Sequence, residues 1–123
     1  MSMERNLDAR CAQLGELLGM EADKDRANLL DDGLGVLQEQ GLYAFFLFLK
    51  TRNKGNPNRV SQHCADFLRR LDLLSDNKQS LWEDLRSLAG KLDDLLFARE
   101  MLIHALTYAR YHARVRTGGQ KQA

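Results

Sequence analysis

The last third of the chain contains an uninterrupted helix-forming segment, and this segment constrains the fold more than any other feature. From Lys91 to Arg116 there is no glycine or proline, which predicts one helix about 39 Å long. At about 100° per residue, two groups of apolar and aromatic side chains fall on roughly opposite sides of it. One group contains Leu92, Leu95, Leu96, Ile103 and Leu106, and the other contains Phe97, Met101, His104, Tyr108, Tyr111 and His112. A helix with two apolar sides lies at the centre of a bundle or packs on its own domain and on a partner. We predict that the second group forms a partner interface.

The remainder of the chain also favours helix. Only one of the 123 residues is proline, and leucine, alanine, glutamine and charged residues dominate. We predict an all-α fold: a single compact bundle of five to six helices with a long C-terminal helix. The helical domain covers residues 1–116, and residues 117–123 form a disordered polar tail.

Apolar spacing predicts the other helices and the loops between them. The apolar run at residues 42–49 is assigned to a helix, because the chain offers no second strand to pair with it. Gly33 and Gly35 weaken the second helix and suggest that another backbone approaches it. Residues 53–58 form the clearest loop, and residues 75–77 supply turn and cap residues. The predicted helices before the last one are 3–20, about 26–41, 42–49 continuing to Lys50, about 59–74, and 78–89.

The two cysteines, Cys11 and Cys64, lie on apolar stripes and do not make the disulfide framework of a small secreted protein. We expect buried, reduced thiols and a cytoplasmic protein without a secretory signal. No apolar run approaches the roughly 18 residues of a membrane helix, so no membrane association is expected.

Positive charge is concentrated in two blocks, although the formal net charge is only +1. Residues 50–72 carry six basic and two acidic residues, and residues 101–123 carry four basic residues and no acid. Such blocks form a nucleic-acid-binding patch if the fold brings them together, and are otherwise ordinary solvated surface. The predicted contacts are sequence-independent and made to phosphates. The candidate residues are Lys50, Arg52, Lys54, Arg59, Arg69, Arg70, Arg110, Arg114 and Arg116.

Catalytic and metal signatures are weak. No metal-ligand spacing and no phosphate-binding glycine loop is present, and no cofactor is predicted. The acidic pairs at residues 31–32, 83–84 and 93–94 are interpreted as solvated helix faces. One lead remains: Arg99 and His104 show the arginine–four residues–histidine spacing of the all-helical HEPN ribonucleases. There the arginine stabilises phosphate charge and the histidine moves a proton. These two side chains are about 140° apart on one helix, so a dimer partner would have to complete the site. The alternative is that Arg99 is a structural arginine paired with an acid.

Two segments resemble a known family. Residues 37–50 combine a Gly41-Leu42 helix start with a small and aromatic run ending in a basic loop. Residues 95–113, with Arg99-Glu100 as the best match, are similar to that family's C-terminal helix. Together they resemble the small helical subunit of type III-B CRISPR effector complexes, the Cmr module, over roughly residues 4–116. The stretch 107–110 departs from the pattern, since a tryptophan is usual there.

The resemblance implies a non-catalytic subunit. Copies would stack head to tail inside a ribonucleoprotein, beside its other subunits, and would contact the guide RNA and the target RNA. Arg99 would then be a structural position rather than part of an active site. Two alternatives remain open: a HEPN-type ribonuclease using Arg99 and His104, and a helical adaptor that binds only proteins.

Overall fold

The structure, a computed structural model, describes residues 3–20, 22–75 and 80–117, with side chains from residue 6 onward. These ranges contain helices and no strand, so the predicted all-α fold with a long C-terminal helix is confirmed. None of the helices in these ranges combines the length and apolar character that a membrane span requires. The six helices are α1 (Met3–Gly19), α2 (Lys24–Gln40), α3 (Leu42–Thr51), α4 (Pro57–Arg70), α5 (Leu81–Ala89) and α6 (Leu92–Thr117).

Several boundaries differ from the prediction. Helix α6 includes Thr117, which the sequence assigned to the polar tail; the rest of that tail, residues 118–123, lies outside the described residues. Helix α4 begins at Pro57, because proline suits the first helical position. It ends at Arg70 rather than at residue 74, and Asp72 beyond it adopts a left-handed conformation with φ of 60°. The N-cap of α5 is Ser80, whose side chain accepts a bond from the Glu83 N–H; residues 76–79 lie outside the described ranges.

A single glycine joins α2 to α3. Gly41 has φ of 98°, a region that residues with a side chain rarely adopt. Its N–H donates to the carbonyls of Val36 and Leu37 and so completes the end of α2. Helix α3 begins at the next residue. The predicted helix start at Gly41-Leu42 is confirmed.

The side of α6 that faces the core is neither of the two predicted groups. Its fully buried positions are mostly alanines, which the sequence analysis passed over, and of the predicted apolar groups only Leu106 is fully buried. Leu92 and Leu96 are 66% and 51% exposed, so the prediction that they face the core is wrong. Small residues take the inner side because α6 packs closely along α1 and α2. The buried residues of α6 are Ala98, Leu102, Ala105, Leu106, Ala109 and Ala113.

Two glycines of α1 make this close packing possible. A Cβ atom at Gly15 would lie 2.5 Å from the Cβ of Tyr108 and 2.9 Å from the Ala105 carbonyl oxygen. A Cβ at Gly19 would lie 2.6 Å from the Ala109 oxygen. The two glycines are four residues apart and therefore share one face of α1. The close backbone approach expected in α2 is thus found in α1 instead. In α2, a Cβ at Gly33 would meet only the Phe45 ring at 3.1 Å, and one at Gly35 would meet nothing within 4 Å.

Both thiols are buried in the core and free. Burial, with a smaller contribution from the charge of Asp8, raises the pKa of Cys11 to about 11. Burial raises the pKa of Cys64 to about 12. These values indicate unreactive structural thiols, because the thiolate is the reactive form.

We expect neither Cys11 nor Cys64 to react with Ellman's reagent at pH 8 unless the fold opens.

The raised pKa values of the two thiols also predict that the protein loses stability at alkaline pH. Unfolded thiols titrate near pH 8.5 and folded ones much higher, so the stabilisation is complete below pH 8.5 and is lost as pH rises toward 11. Each thiol contributes a slope of up to about 1.4 kcal/mol per pH unit. Urea titrations at several pH values measure this decline, which should be shallower between pH 9 and 10 in the Cys11→Ala/Cys64→Ala variant. Rapid labelling of the native protein by Ellman's reagent at pH 8 would contradict the prediction that both thiols are unreactive.

Candidate nucleic-acid interface

Three of the nine predicted basic residues already pair with carboxylates. Arg52 Nη2 lies 3.3 Å from Asp32 Oδ2, and the same guanidinium stacks over the Phe48 ring. Arg110 Nε lies 2.6 Å from Asp31 Oδ1. The two basic blocks therefore approach each other across α2, as a basic patch requires. However, Asp32 and Asp31 of α2 compensate the charges of Arg52 and Arg110 where the two blocks approach each other.

Asp31 and Asp32 are exposed, as predicted for a solvated helix face, but both also form ion pairs. They bind arginines from α6 and from the end of α3, on the two sides of α2. The third paired residue, Arg69, lies 3.1 Å from Asp66 Oδ1 on its own helix and donates to the Ser75 carbonyl. These partners reduce the charge that the three arginines offer to a ligand.

The other six candidates have no carboxylate partner among the described residues, and all six are exposed. They fall in two regions. Lys50, Lys54 and Arg59 surround the α3–α4 loop, and Arg70 continues along α4. Arg114 and Arg116 lie in the last turn of α6. Their charge is available to an anionic ligand.

A row of polar residues on α4 organises part of this charge. Arg59, His63, Asp66 and Arg70 follow the i, i+4, i+7, i+11 spacing of a single helix face. The row is about 16 Å long. Arg10 of α1 lies beside its end, where its Nη1 donates to the Arg70 carbonyl at 3.5 Å. Arg10 and Arg70, from different helices, therefore both lie at this end of the row.

The space between α1 and α4 is a groove of about 580 Å³, which we call the α1–α4 groove. Its floor is apolar and includes Leu14, Leu17 and Phe67. Its polar lining consists of Arg10 and Gln13 from α1 and of His63, Asp66 and Arg70 from α4. A second depression of about 490 Å³ is lined by Arg59 and by the loop at Gly55 and Asn56. Arg59 belongs to the α4 row as well, so the row connects the two depressions.

Three arginines and one aspartate act on the titration of His63 in this groove. Burial is the main factor that lowers the pKa of His63, and the charges of Arg59, Arg26 and Arg70 lower it further. Asp66 acts in the opposite direction. Burial disfavours a charge of either sign, so only the contributions of the three arginines favour an anion at this place.

Arg26 supports this region from inside. It is only 8% exposed. Its Nη1 donates to the Leu18 carbonyl at 3.1 Å, and its Nε donates to the Gly55 carbonyl. It therefore ties the end of α1 and the α3–α4 loop to the start of α2. Gly55 itself has φ of 83°, and a Cβ there would lie 2.8 Å from the Asp25 oxygen.

Arg99 and His104 point to different neighbours. Arg99 donates to the carbonyls of Leu37 and Gln38 and so caps the end of α2. Its partners are carbonyls rather than the acid considered in the sequence analysis. His104 Nε2 lies 3.2 Å from Asp8 Oδ1 of α1, which also accepts a 2.6 Å bond from the Tyr108 hydroxyl. Within one copy, the two side chains do not face a common site.

The predicted partner interface on α6 divides into two parts. Met101 packs on the core, and His104 and Tyr108 bond to α1. Phe97 and Tyr111 are 37% and 62% exposed, and His112 is half-buried. The outermost side of α6 also exposes three residues that the prediction had not included in this surface. They are Leu92, Leu96 and Val115.

Asp84 is the acidic residue whose predicted position on a solvated helix face is wrong. It is 4% exposed, and its Oδ2 has no hydrogen-bond partner among the described residues. It lines a pocket of about 260 Å³ with Asp72, Ser75 and Lys91. Among the described residues, no three potential metal ligands cluster there or elsewhere.

Comparisons with known proteins do not assign this chain to a family. No protein-family model matches it, and no significant match was found among curated proteins or solved structures.

The sequence analysis missed Arg10, Gln13 and His63. Arg10 is one of two basic residues among three acidic ones in the first helix, and it belongs to neither basic block; His63 is a lone histidine outside any metal-ligand spacing. The i+4 and i+11 spacing from Arg59 to His63 and Arg70 was visible in the sequence. The approach of Arg10 was not, because it depends on how α1 packs against α4.

Proposed function

We propose that this protein is a non-catalytic helical subunit that contacts RNA through phosphates. The observation that carries this proposal is the α1–α4 groove. There, Arg10 and Arg70 line the same space and have no carboxylate partner among the described residues, and Arg59 lies at the far end of the same α4 row. Cations that line a groove bind a nucleic-acid backbone without reading its sequence.

The resemblance described above specifies this role further. The chain would be the small subunit of a type III CRISPR complex in the cytoplasm, in contact with guide RNA, target RNA and neighbouring subunits. Head-to-tail stacking of copies requires a second contact surface on each copy. The outermost side of α6 supports such a surface, because Leu96, Tyr111 and Val115 are at least half exposed there. Isolated apolar residues are common on surfaces, but several on the outer side of one helix favour a contact site.

Reversing the free charges of the groove should weaken RNA binding. We expect Arg10→Glu/Arg70→Glu to reduce affinity for single-stranded RNA at least about tenfold at low salt. The slope of log K against log salt should become shallower by about one to two. Fluorescence anisotropy over a salt series from about 50 to 200 mM measures both quantities.

A matched control is available on another face. Arg86→Glu/Lys91→Glu makes the same change in net charge, and both residues are exposed and lie outside the groove. This control should bind nearly as tightly as the wild type. Equal losses in both variants would mean that only net charge matters, and would remove the groove from the proposal.

The same reactions test the ribonuclease alternative, because RNA from each reaction should remain intact on a denaturing gel. Shortening that His104→Gln abolishes would instead support the ribonuclease alternative.

A further inference from the structure

His63 occupies the centre of the candidate interface. It lies one turn after Arg59 and two turns before Arg70 on the same face of α4, and Arg10 lines the same groove from α1. Neither of its ring nitrogens bonds to another described residue. His104, by contrast, is bonded to Asp8. His63 is therefore a half-buried histidine without a hydrogen-bond partner among the described residues, in a groove that Arg10, Arg70 and Asp66 also line.

We propose that an RNA phosphate in the α1–α4 groove contacts His63 and binds with its imidazole protonated, so that RNA binding takes up a proton. This inference rests on the proposed function, and it identifies a contact residue and a pH dependence that RNA binding alone does not require. A phosphate oxygen accepts a hydrogen bond from an imidazolium N–H, and the opposite charges strengthen that bond.

The surroundings of His63 explain why the proton is taken up on binding and is not already present. Burial lowers its pKa in the free protein, and Arg59 and Arg70 of α4 and Arg26 of α2 disfavour a further positive charge. Arg10 adds another cation from α1. Asp66 alone favours the imidazolium, and its carboxylate is already bound by Arg69. A bound phosphate brings negative charge into this group of cations and reverses the balance.

Thermodynamic linkage makes the consequence measurable. If the binding of a ligand raises the pKa of a group, the ligand binds more tightly to the protonated form of that group than to the neutral form. Each unit by which the pKa rises corresponds to a difference of about tenfold in affinity between the two forms. Affinity for RNA should therefore increase as pH falls from about 8 to about 6, with a limit of tenfold per pH unit for one proton. We expect a total increase of about three- to tenfold over this range.

The first test compares histidine variants at constant ionic strength. In His63→Gln, which keeps a neutral hydrogen-bond donor, the pH dependence of RNA affinity should disappear. At pH 8 its affinity should stay within about threefold of the wild type, because the side chain at position 63 is uncharged there in both proteins. His104→Gln and His112→Gln change the other two histidines of the chain and should retain the wild-type pH profile. An unchanged pH profile in His63→Gln would overturn the inference.

The second test follows the His63 ring protons by NMR, with a short single-stranded RNA and separately with inorganic pyrophosphate. The pKa of His63 should rise in both titrations. If RNA binds in a manner that depends on Arg10 and Arg70 but the pKa does not move, the His63 contact is wrong and the proposed function stands. If RNA does not bind while pyrophosphate still raises the pKa, the proposed function is wrong and the groove is a site for another phosphate ligand. An unchanged pKa in both titrations overturns the phosphate contact.

Discussion

Alanine at Gly15 should lower the free energy of unfolding by about 2–3 kcal/mol, although alanine is the better helix former. The added methyl would lie 2.5 Å from the Tyr108 Cβ and 2.9 Å from backbone atoms of Ala105 and Ala109. Backbone atoms cannot rotate away as a flexible side chain can, so α1 and α6 must separate. Since α6 packs on α1 more extensively than on any other helix, the separation affects the whole bundle. Gly19→Ala should behave similarly, because its methyl would meet the Ala109 oxygen at 2.6 Å.

Gly35→Ala is the matched control. Gly35 also lies inside a helix, but an added Cβ there meets nothing within 4 Å. Here only helix propensity changes, so we expect a gain of about 0.5–1 kcal/mol. Urea denaturation of the three variants measures the contrast. If Gly15→Ala and Gly35→Ala changed stability equally, the close approach of α1 and α6 would be wrong.

Arg26→Met should lower the free energy of unfolding by about 2–4 kcal/mol, the second large effect that we expect. Methionine keeps much of the aliphatic stem but removes the donors to the Leu18 and Gly55 carbonyls. Buried carbonyls without a donor are costly. The loss should loosen the link between the end of α1 and the α3–α4 loop, next to Arg59.

Thermal unfolding measures this effect, and Arg86→Met provides the control. Arg86 is exposed on α5, so its replacement should change stability by no more than about 0.5 kcal/mol. Because Arg26 also contributes to the positive field at His63, Arg26→Met should raise the pKa of that histidine. Wild-type stability in Arg26→Met would show that the buried guanidinium is not a structural link.

Helix content was predictable because it depends on local spacing. The run at residues 42–49 was assigned to a helix because no strand could pair with it, and it forms α3. Gly41 was identified as a helix boundary, and its positive φ explains why. The end of α4 was less predictable: apolar spacing continues to residue 74, and Leu74 is indeed buried. The left-handed Asp72 nevertheless ends the helix before it.

The inner side of α6 was misread for a definite physical reason. Sequence periodicity weights side chains by size and apolarity, so large residues such as Leu92 and Leu96 dominated the predicted core side. A helix that packs against another at very short distance needs small residues at the contact, and Ala105 and Ala109 supply them opposite Gly15. Neither glycine nor alanine stands out by hydrophobicity.

Only some residues of the candidate nucleic-acid interface were predictable from the sequence. The sequence identified the basic segments and thus Arg59 and Arg70. It could not show which cations are neutralised: Arg52 and Arg110 reach Asp32 and Asp31 only because α2 lies between α3 and α6.

By itself the sequence determined the helices and the distribution of charge, since helix propensity and apolar spacing act within about four residues along the chain. The tertiary structure alone decided which helix face is buried, which arginines remain free, and that Arg10 and His63 share a groove. Those outcomes depend on the distance between helices, which small side chains set at Gly15 and Gly19. They also depend on contacts between residues far apart in the sequence.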